Sequence, residues 1–371
     1  MRLTRRTFLA GAGSATLGAL GPAYGGDRAD GRDQFVSCAV DRDGHYAVTG
    51  IDGHGRVQFT TPLPARGHGI AGHPIRAEIV VFARRPGAFA VVLQTADGTI
   101  RRRIEAATGR HFYGHGSYSA DGRLLFATEN DYENSRGVLG IYDSRDGYRR
   151  VGEWASGGIG PHEVRLLPGG SALVVANGGI RTHPDHGRAK LNLSSMTPNL
   201  VYLDSETGRR LESARLPERL HKLSIRHIDA NASGLVAVGM QYEGDRRDRV
   251  PLVGLHRPGG EFRLLQAPTE IARRMRHYIG SVAFDATGRY LASTGPRGHI
   301  VTLWDAASSA YIGHVSAADA SGVAPAGQAG EFIVAGGDGI VRRIDAPSGR
   351  VAVVLQENLE RRWDNHMRPA A

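Results

Sequence analysis

Residues 157–179 read GGIGPHEVRLLPGGSALVVANGG, and their layout decides the fold. Two apolar runs of strand length flank Pro168-Gly169-Gly170, a turn too short for anything but a hairpin. His162 and Glu163 stand at the start of the first run and Asn177 at the end of the second. An antiparallel hairpin therefore brings these polar groups to one edge.

The same layout recurs along the chain. Turn signals that split two apolar runs fall at Asp43-Gly44, Pro86-Gly87, Asp121-Gly122, Gly169-Gly170, Ser233-Gly234, Thr287-Gly288 and Ala329-Gly330. Their separations, 35 to 64 residues, are blade lengths with insertions and are too irregular for a solenoid. In one unit, residues 117–120, 123–128, 138–143 and 148–154 read as four successive strands. The C-terminal unit repeats the pattern at 332–335, 340–344 and 350–355, and HIVTLWDAASS at 299–309 reads like the third strand of a WD-type blade. The largest insertion, 180–199, falls between the second and third strands of blade four, and 269–277 can form one or two helical turns. No composition break divides the chain. The expectation is an all-β fold, one seven-bladed β-propeller of four-stranded antiparallel blades over residues 26–371.

Composition agrees with many short strands. Glycine is frequent at 51 residues, aromatics make up only 7%, and 41% hydrophobic content supplies a sizeable core. The formal charge of +9 raises the question of nucleic acid. Only Lys190 and Lys222 among the 46 basic residues are lysines, and the arginines are scattered singly, so nucleic acid is not expected as a partner. Thr4-Arg5-Arg6-Thr7-Phe8-Leu9 matches the twin-arginine export signal, followed by a weakly apolar run to Leu20 and small residues around Ala23 and Gly25. That run of 13 residues is too short to span a bilayer, which needs about 20. The reading is a signal peptide at 1–25, periplasmic delivery and no transmembrane span, with retention of the segment as an anchor the alternative. Cys38 is the only cysteine, so no internal disulfide exists.

Aligning the blades on their turn glycines puts His115, His162, His227 and Ser281 seven residues upstream of Gly122, Gly169, Gly234 and Gly288. That position is read as the connection from one blade's outer strand to the next blade's inner strand. In a four-stranded meander this connection and the second-to-third-strand loop open on the same face. The face then collects His68, His115, His162, Glu163, His227 and His366, the candidate metal ligands. It also collects Glu78, Glu129, Asn130, Asp131, Asn177, Arg226, Arg297 and Asp338. Residues 66–69 and His73 are placed in an extended connection before blade two, and His366 where the ring closes. A single histidine at such a position more often bonds within its blade. Five around one axis, with carboxylates near, suit iron, copper or zinc. His183 and His186, in the blade-four insertion, are read as solvated.

The segments GRHFYGHG (109–116), TEND (128–131), GIGPHE (158–163), VVANGGIRTHPD (174–185), LNLSSMTPNLVYLD (191–204), LSIRH (223–227), GSVAFD (280–285) and WDNH (363–366) resemble the bacterial domain-of-unknown-function family 1513. The resemblance implies a twin-arginine-exported propeller, encoded beside imelysin-type iron-regulated proteins and a dihaem peroxidase-like protein, and hence a role in periplasmic iron acquisition. It implies no catalytic residues. Three functions stay open at this point. One is a monomeric accessory of iron uptake that binds a metal, a metal complex or a partner protein. Another is an enzyme, a lactonase-like hydrolase or an oxidoreductase, with His162 and Glu163 or Glu129 as base. The third is a metal-free interaction scaffold.

Overall fold

A computed structural model describes residues 34–187, 189–355 and 361–370. The expected export signal lies outside them. Seven four-stranded antiparallel sheets follow one another around a ring, so the fold is the seven-bladed β-propeller that the turn spacing predicts.

Blade one combines β1 (Gln34–Val40), β2 (Tyr46–Asp52) and β3 (Val57–Leu63) with the last strand of the chain. Blade two is β4 (Gly67–Gly72), β5 (Glu78–Ala83), β6 (Phe89–Gln94) and β7 (Ile100–Glu105). Blade three is β8 (Arg110–Tyr118), β9 (Leu124–Asp131), β10 (Arg136–Asp143) and β11 (Arg149–Ala155). Blade four is β12 (Pro161–Leu166), β13 (Ala172–Asn177), β14 (Asn199–Asp204) and β15 (Arg210–Arg215). Blade five is β16 (Leu223–Ala230), β17 (Val236–Tyr242), β18 (Val253–His256) and β19 (Arg263–Leu265). A short helix, α1 (Thr269–Arg274), leads into blade six: β20 (Ser281–Phe284), β21 (Tyr290–Gly295), β22 (Ile300–Asp305) and β23 (Ala310–Ser316). Blade seven is β24 (Ala320–Pro325), β25 (Glu331–Gly336), β26 (Val341–Asp345) and β27 (Arg350–Leu355), and β28 (Arg362–Pro369) then pairs with β1. Among the described residues no helix is long and apolar enough to cross a membrane.

The patterning of each strand follows its depth in the blade. Middle strands such as EIVVFA in β5 and ALVVAN in β13 are buried on both faces, because each blade packs between two others. Outer strands alternate, as in AYIGHVS of β23 and RLESAR of β15, with only every second residue turned inward. Apolar clusters join blades one and two, two and three, three and four, four to six, six and seven, and seven and one. The core is thus a belt of inter-blade seams around an axis lined by β28, β4, β8, β12, β16, β20 and β24. Trp304 of the WD-like stretch is fully buried and donates to Ser293 Oγ and Thr302 Oγ1, a role internal to blade six.

Five of the seven turn signals fall between first and second strands, counted from the axis. Asp43-Gly44 joins the second and third strands of blade one, whose innermost strand is β28, and Pro86-Gly87 the second and third of blade two. The first hairpin of that blade turns at His73, whose Nδ1 accepts from Ile75 N at 3.1 Å and Arg76 N at 2.9 Å. An imidazole does there what an Asp or Asn side chain does in an Asx turn, which the turn-residue pattern does not flag. Residues 67–72 are therefore the inner strand of blade two rather than an extended connection.

Closing a propeller with one C-terminal strand against three N-terminal ones joins the two ends of the ring. A chain ending at residue 361 leaves β1 an open edge, and we expect it to lose the single cooperative melting transition and to aggregate. Circular dichroism melting with size-exclusion chromatography reads this; an unchanged Tm would contradict the role assigned to β28.

Candidate metal centre

The histidines lie on the inner strands themselves, not in the connections between blades. What aims them at the axis is a bulge. The inner strand slips register against its neighbour at 364–366 in β28, 68–69 in β4, 113–115 in β8, His162 in β12, Arg226 in β16 and Ser321 in β24. Extra residues in a ladder bend the strand and re-aim its side chains. The bulges of blades one to four carry His366, His68, His115 and His162, and His227 directly follows the bulge of blade five. Blades six and seven present Ser281 and Ser321 instead.

Glycine permits the close approach. A Cβ on Gly69 would lie 2.2 Å from Gly114 O and 2.7 Å from His115 Nδ1. Gly114, at φ +105°, adopts a conformation that side chains disfavour, and a Cβ there would meet the His68 ring at 2.9 Å. The Gly-His-Gly triplets at 67–69 and 114–116 thus let β4 and β8 bring two imidazoles together.

The five imidazoles close into a ring. Centroid distances are 4.5 Å from His366 to His68, 4.9 Å to His115, 5.0 Å on to His162, 4.6 Å to His227 and 4.9 Å back to His366. His115 leans towards the middle, 4.5 Å from His366 across the ring. All five are buried, His162 the least so at 8% exposed. Donor atoms of His68, His115 and His162 lie within 4.8 Å of one another, as do those of His115, His227 and His366. Donors around one tetrahedral ion at bonds of about 2.05 Å are about 3.3 Å apart, so a modest contraction of either triad accommodates an ion. His115 belongs to both.

The ring is under-bonded. His115 Nε2, His162 Nδ1, His227 Nδ1 and His366 Nε2 are buried with no hydrogen-bond partner among the described residues. Each such atom costs on the order of 1–3 kcal/mol if left unmet. Four in one cluster is the pattern of a site that binds something.

Two carboxylates stand behind the ring. Asp364 accepts from His68 Nδ1 at 2.8 Å and from Arg66 Nε at 2.5 Å. This contact directs the lone pair of a neutral His68 to Nε2, as a carboxylate behind a ligating histidine does in metal sites. Glu163 accepts from Arg368 Nη2 at 3.0 Å, Arg165 Nε at 3.2 Å and Ile228 N at 3.2 Å. Its Oε2 lies 3.6 Å from His227 Nδ1 and 3.9 Å from His115 Nδ1, too long for hydrogen bonds. Asp229 lies 3.7 Å from Arg165 and 3.8 Å from Arg368, forming a charge layer with Glu163 beside the ring.

Burial dominates the electrostatics of the imidazoles. It lowers His68 to about 4 and pushes His115, His162 and His366 well below the ordinary histidine value, with His227 lowered as well. Burial raises Asp364 and Glu163, but is outweighed: by His68 and Arg66 at Asp364, which falls well below the usual carboxylate range, and by His115, Arg165 and His227 at Glu163, which falls to about 2. The result is five uncharged nitrogen ligands and two ionised carboxylates at neutral pH, the protonation state a metal needs.

The expected site residues divide. His68, His115, His162, Glu163, His227 and His366 come together. Glu78 does not: it opens β5 on the opposite side of the blade, where Arg76 Nε and Tyr148 OH donate to it. Glu129 turns into blade three, accepting from Tyr142 OH at 2.6 Å and Arg150 Nη2 at 2.8 Å. Asp131 is held by Arg110, Arg136 and Asn134, and Asn130 donates to His111 Nε2 and Thr182 O. Asn177 bonds Ser156, and Asp338 pairs with Arg342. These five are held inside their blades or loops by ordinary partners. Arg226 sits in the bulge beside His227 and bonds Gln241, while Arg297 stacks over Tyr278 at 4.7 Å. Tyr278 OH in turn accepts from Asn365 at 2.5 Å, next to His366.

Asp364, Arg165, Asp229 and Arg368 were missed. The last three lie two residues beyond Glu163, His227 and His366, the strand period that returns a side chain to the same face. Once the histidines are placed on strands rather than loops, that period finds all three. Outside the ring, His183 lies 5.9 Å from His186 and 3.8 Å from Glu133, near the surface.

Geometry therefore defines a seven-bladed propeller with an axial ring of histidines able to hold a metal ion. By sequence, the chain belongs to the family described as protein of unknown function (DUF1513), whose model matches residues 61–370. In fold it is similar to a chain of the Kuenenia stuttgartiensis hydrazine synthase at 15% identity and TM-score 0.61, covering 87% of this chain and 95% of that one. At that identity the likeness concerns the fold alone. A comparison with curated proteins found no match.

The lowered histidine values fix a pH dependence. The unfolded chain, with ordinary histidines, takes up protons before the folded one, so stability rises with pH between the folded values and about 6.5. It is full above that window and is lost as pH falls through it. For His68 alone, lowered from 6.5 to about 4, the loss is on the order of 3 kcal/mol. We expect the Tm of metal-free protein to fall steadily from pH 7 to pH 4.5, and the slope to shrink in H68Q; a flat profile would contradict the buried neutral ring.

Proposed function

We propose that the ring formed by His68, His115, His162, His227 and His366 is a binding site for a borderline transition metal, iron, copper or zinc. The four partnerless, buried imidazole nitrogens carry this reading. Imidazole suits these metals, and the neutral state means that the ion displaces few protons on binding at neutral pH. Asp364 orients His68, and Glu163 stands where it compensates charge at His115 and His227. Arg66, Arg165 and Arg368 keep both carboxylates ionised and fixed. Among the described residues no hydroxyl or thiol hydrogen-bonds a ring imidazole (Ser37 Oγ donates to the His366 carbonyl instead), so the reading is a binding protein before it is a hydrolase.

We propose further that the protein works in the periplasm as an accessory of iron acquisition. The twin-arginine-like start and the family resemblance support this, and the histidine ring suits a protein that takes up, holds or passes on a metal. Imelysin-type and dihaem peroxidase-like proteins are the partners that the resemblance suggests.

The test is metal content. Protein purified from the periplasm should hold about one transition-metal ion per chain by plasma mass spectrometry, as expected for one axial ring. H115A, which removes the member shared by both triads, and H366A should each lose most of it. H183A/H186A should keep it. Metal at a hundredfold excess over its Kd should stabilise the wild type by about 3 kcal/mol and the ring variants by far less. Equal, negligible metal in wild type and H115A would refute the site.

A further inference from the structure

This inference rests on the metal site proposed above and concerns how an ion moves through it. The donors that could hold an ion form two sets of three: His68, His115 and His162 in one, His115, His227 and His366 in the other. Across the ring, His68 and His162 stand 6.1 Å apart by their centroids, and His115 and His227 6.0 Å. Only His115 belongs to both sets. The chain therefore offers an ion two places, joined through one ligand.

The two places differ. In the second set each histidine carries a buried nitrogen without a partner: His115 Nε2, His227 Nδ1 and His366 Nε2. His227 and His366 are 2% and 3% exposed, and Glu163 Oε2 lies 3.6 Å from His227 Nδ1. An ion there relieves three unmet nitrogens beside a negative charge, so this set has the most to gain from one. The first set includes His162, at 8% the most exposed of the five, and His68, whose Nδ1 is already bonded to Asp364. It gains less from an ion and is easier to reach. His115 itself sits between Gly114 and Gly116 in the three-residue bulge of β8, so no flanking side chain pins its ring. We infer that the ring is a two-station site. An ion enters at His68, His115 and His162 and passes, without leaving His115, to rest among His115, His227 and His366. Exchanging the other ligands around a retained one keeps the ion from standing bare in a low-dielectric interior, where an unpartnered charge is costly.

The experiment follows cobalt(II) uptake by apo protein in stopped flow, read from the visible ligand-field bands. Wild type should show two phases, one whose rate rises with cobalt concentration and a slower one whose rate does not. H162Q should slow the first phase about tenfold or more, as loss of an entry ligand acts on association, and H227Q should abolish the second. Position gives a readout independent of rates. In zinc-soaked crystals the anomalous peak should lie among His115, His227 and His366 in wild type and in H162Q. In H227Q it should move to His68, His115 and His162, and H366Q should move it the same way if H227Q does not fold. A single uptake phase, or a peak that keeps one position in every variant, overturns the two stations and leaves the metal site standing. Two phases that H162Q and H227Q affect alike overturn the order of entry and rest. No cobalt or zinc at the wild-type ring overturns this inference and the metal site together.

Discussion

Five imidazoles buried edge to face on one axis present more nitrogen atoms than the protein can satisfy. That constraint governs the centre of the molecule. Elsewhere in the described propeller buried side-chain atoms without a hydrogen-bond partner are scattered singly, as at His73 Nε2, Asn199 Oδ1 and Ser309 Oγ. In the ring, by contrast, four nitrogens lack partners, and the histidines that carry them are held neutral by burial. A fold that only needed to fill its axis would do so with apolar or small residues, as blades six and seven do with serine. Retaining imidazoles in five successive blades, four of them with an orphaned nitrogen, is intelligible if a metal completes them.

The bulges supply the link from backbone to chemistry. A regular inner strand would point alternate residues at the axis in a register fixed by the blade. One or two extra residues in six of the seven inner strands break that register where the site needs it, and the Gly-His-Gly triplets remove the Cβ atoms that would keep β4 and β8 apart. Strand β28 gives the same device a second role. It closes the ring of blades and brings His366, Asp364 and Arg368 to a site whose other residues lie about 140 to 300 positions earlier in the chain. Folding and site assembly are therefore coupled through one C-terminal strand.

Much of this was legible in the sequence. Turn dipeptides at blade spacing disclosed the architecture, since Gly44, Gly122, Gly170, Gly234, Gly288 and Gly330 all need positive φ in the hairpins they make. Counting back from those turns registered His115, His162 and His227 on one axis. In blades one and two the turn that the dipeptides mark is the second-to-third one: β28 supplies blade one's inner strand from the far end of the chain, and the first hairpin of blade two turns on His73, which mimics Asp there. A bulge has no composition signature, so the sequence points to connections for the histidines and does not disclose the period-two partners Arg165, Asp229 and Arg368. Glu78 and Glu129 are carboxylates close in sequence to strand ends, and nothing in composition tells which end or face they occupy. Which face of a strand they occupy depends on register, and partners as distant as Tyr148 and Arg150 settle it.

The most direct test of the central claim is anomalous diffraction at the metal edge from crystals of the protein purified with its native metal or soaked in zinc. The account predicts one strong anomalous peak on the propeller axis within bonding distance, about 2.0–2.2 Å, of nitrogens from the ring histidines, His115 among them. A peak confined to His183 and His186 at the surface, or an empty ring with its imidazoles bonded to one another through water, would contradict it.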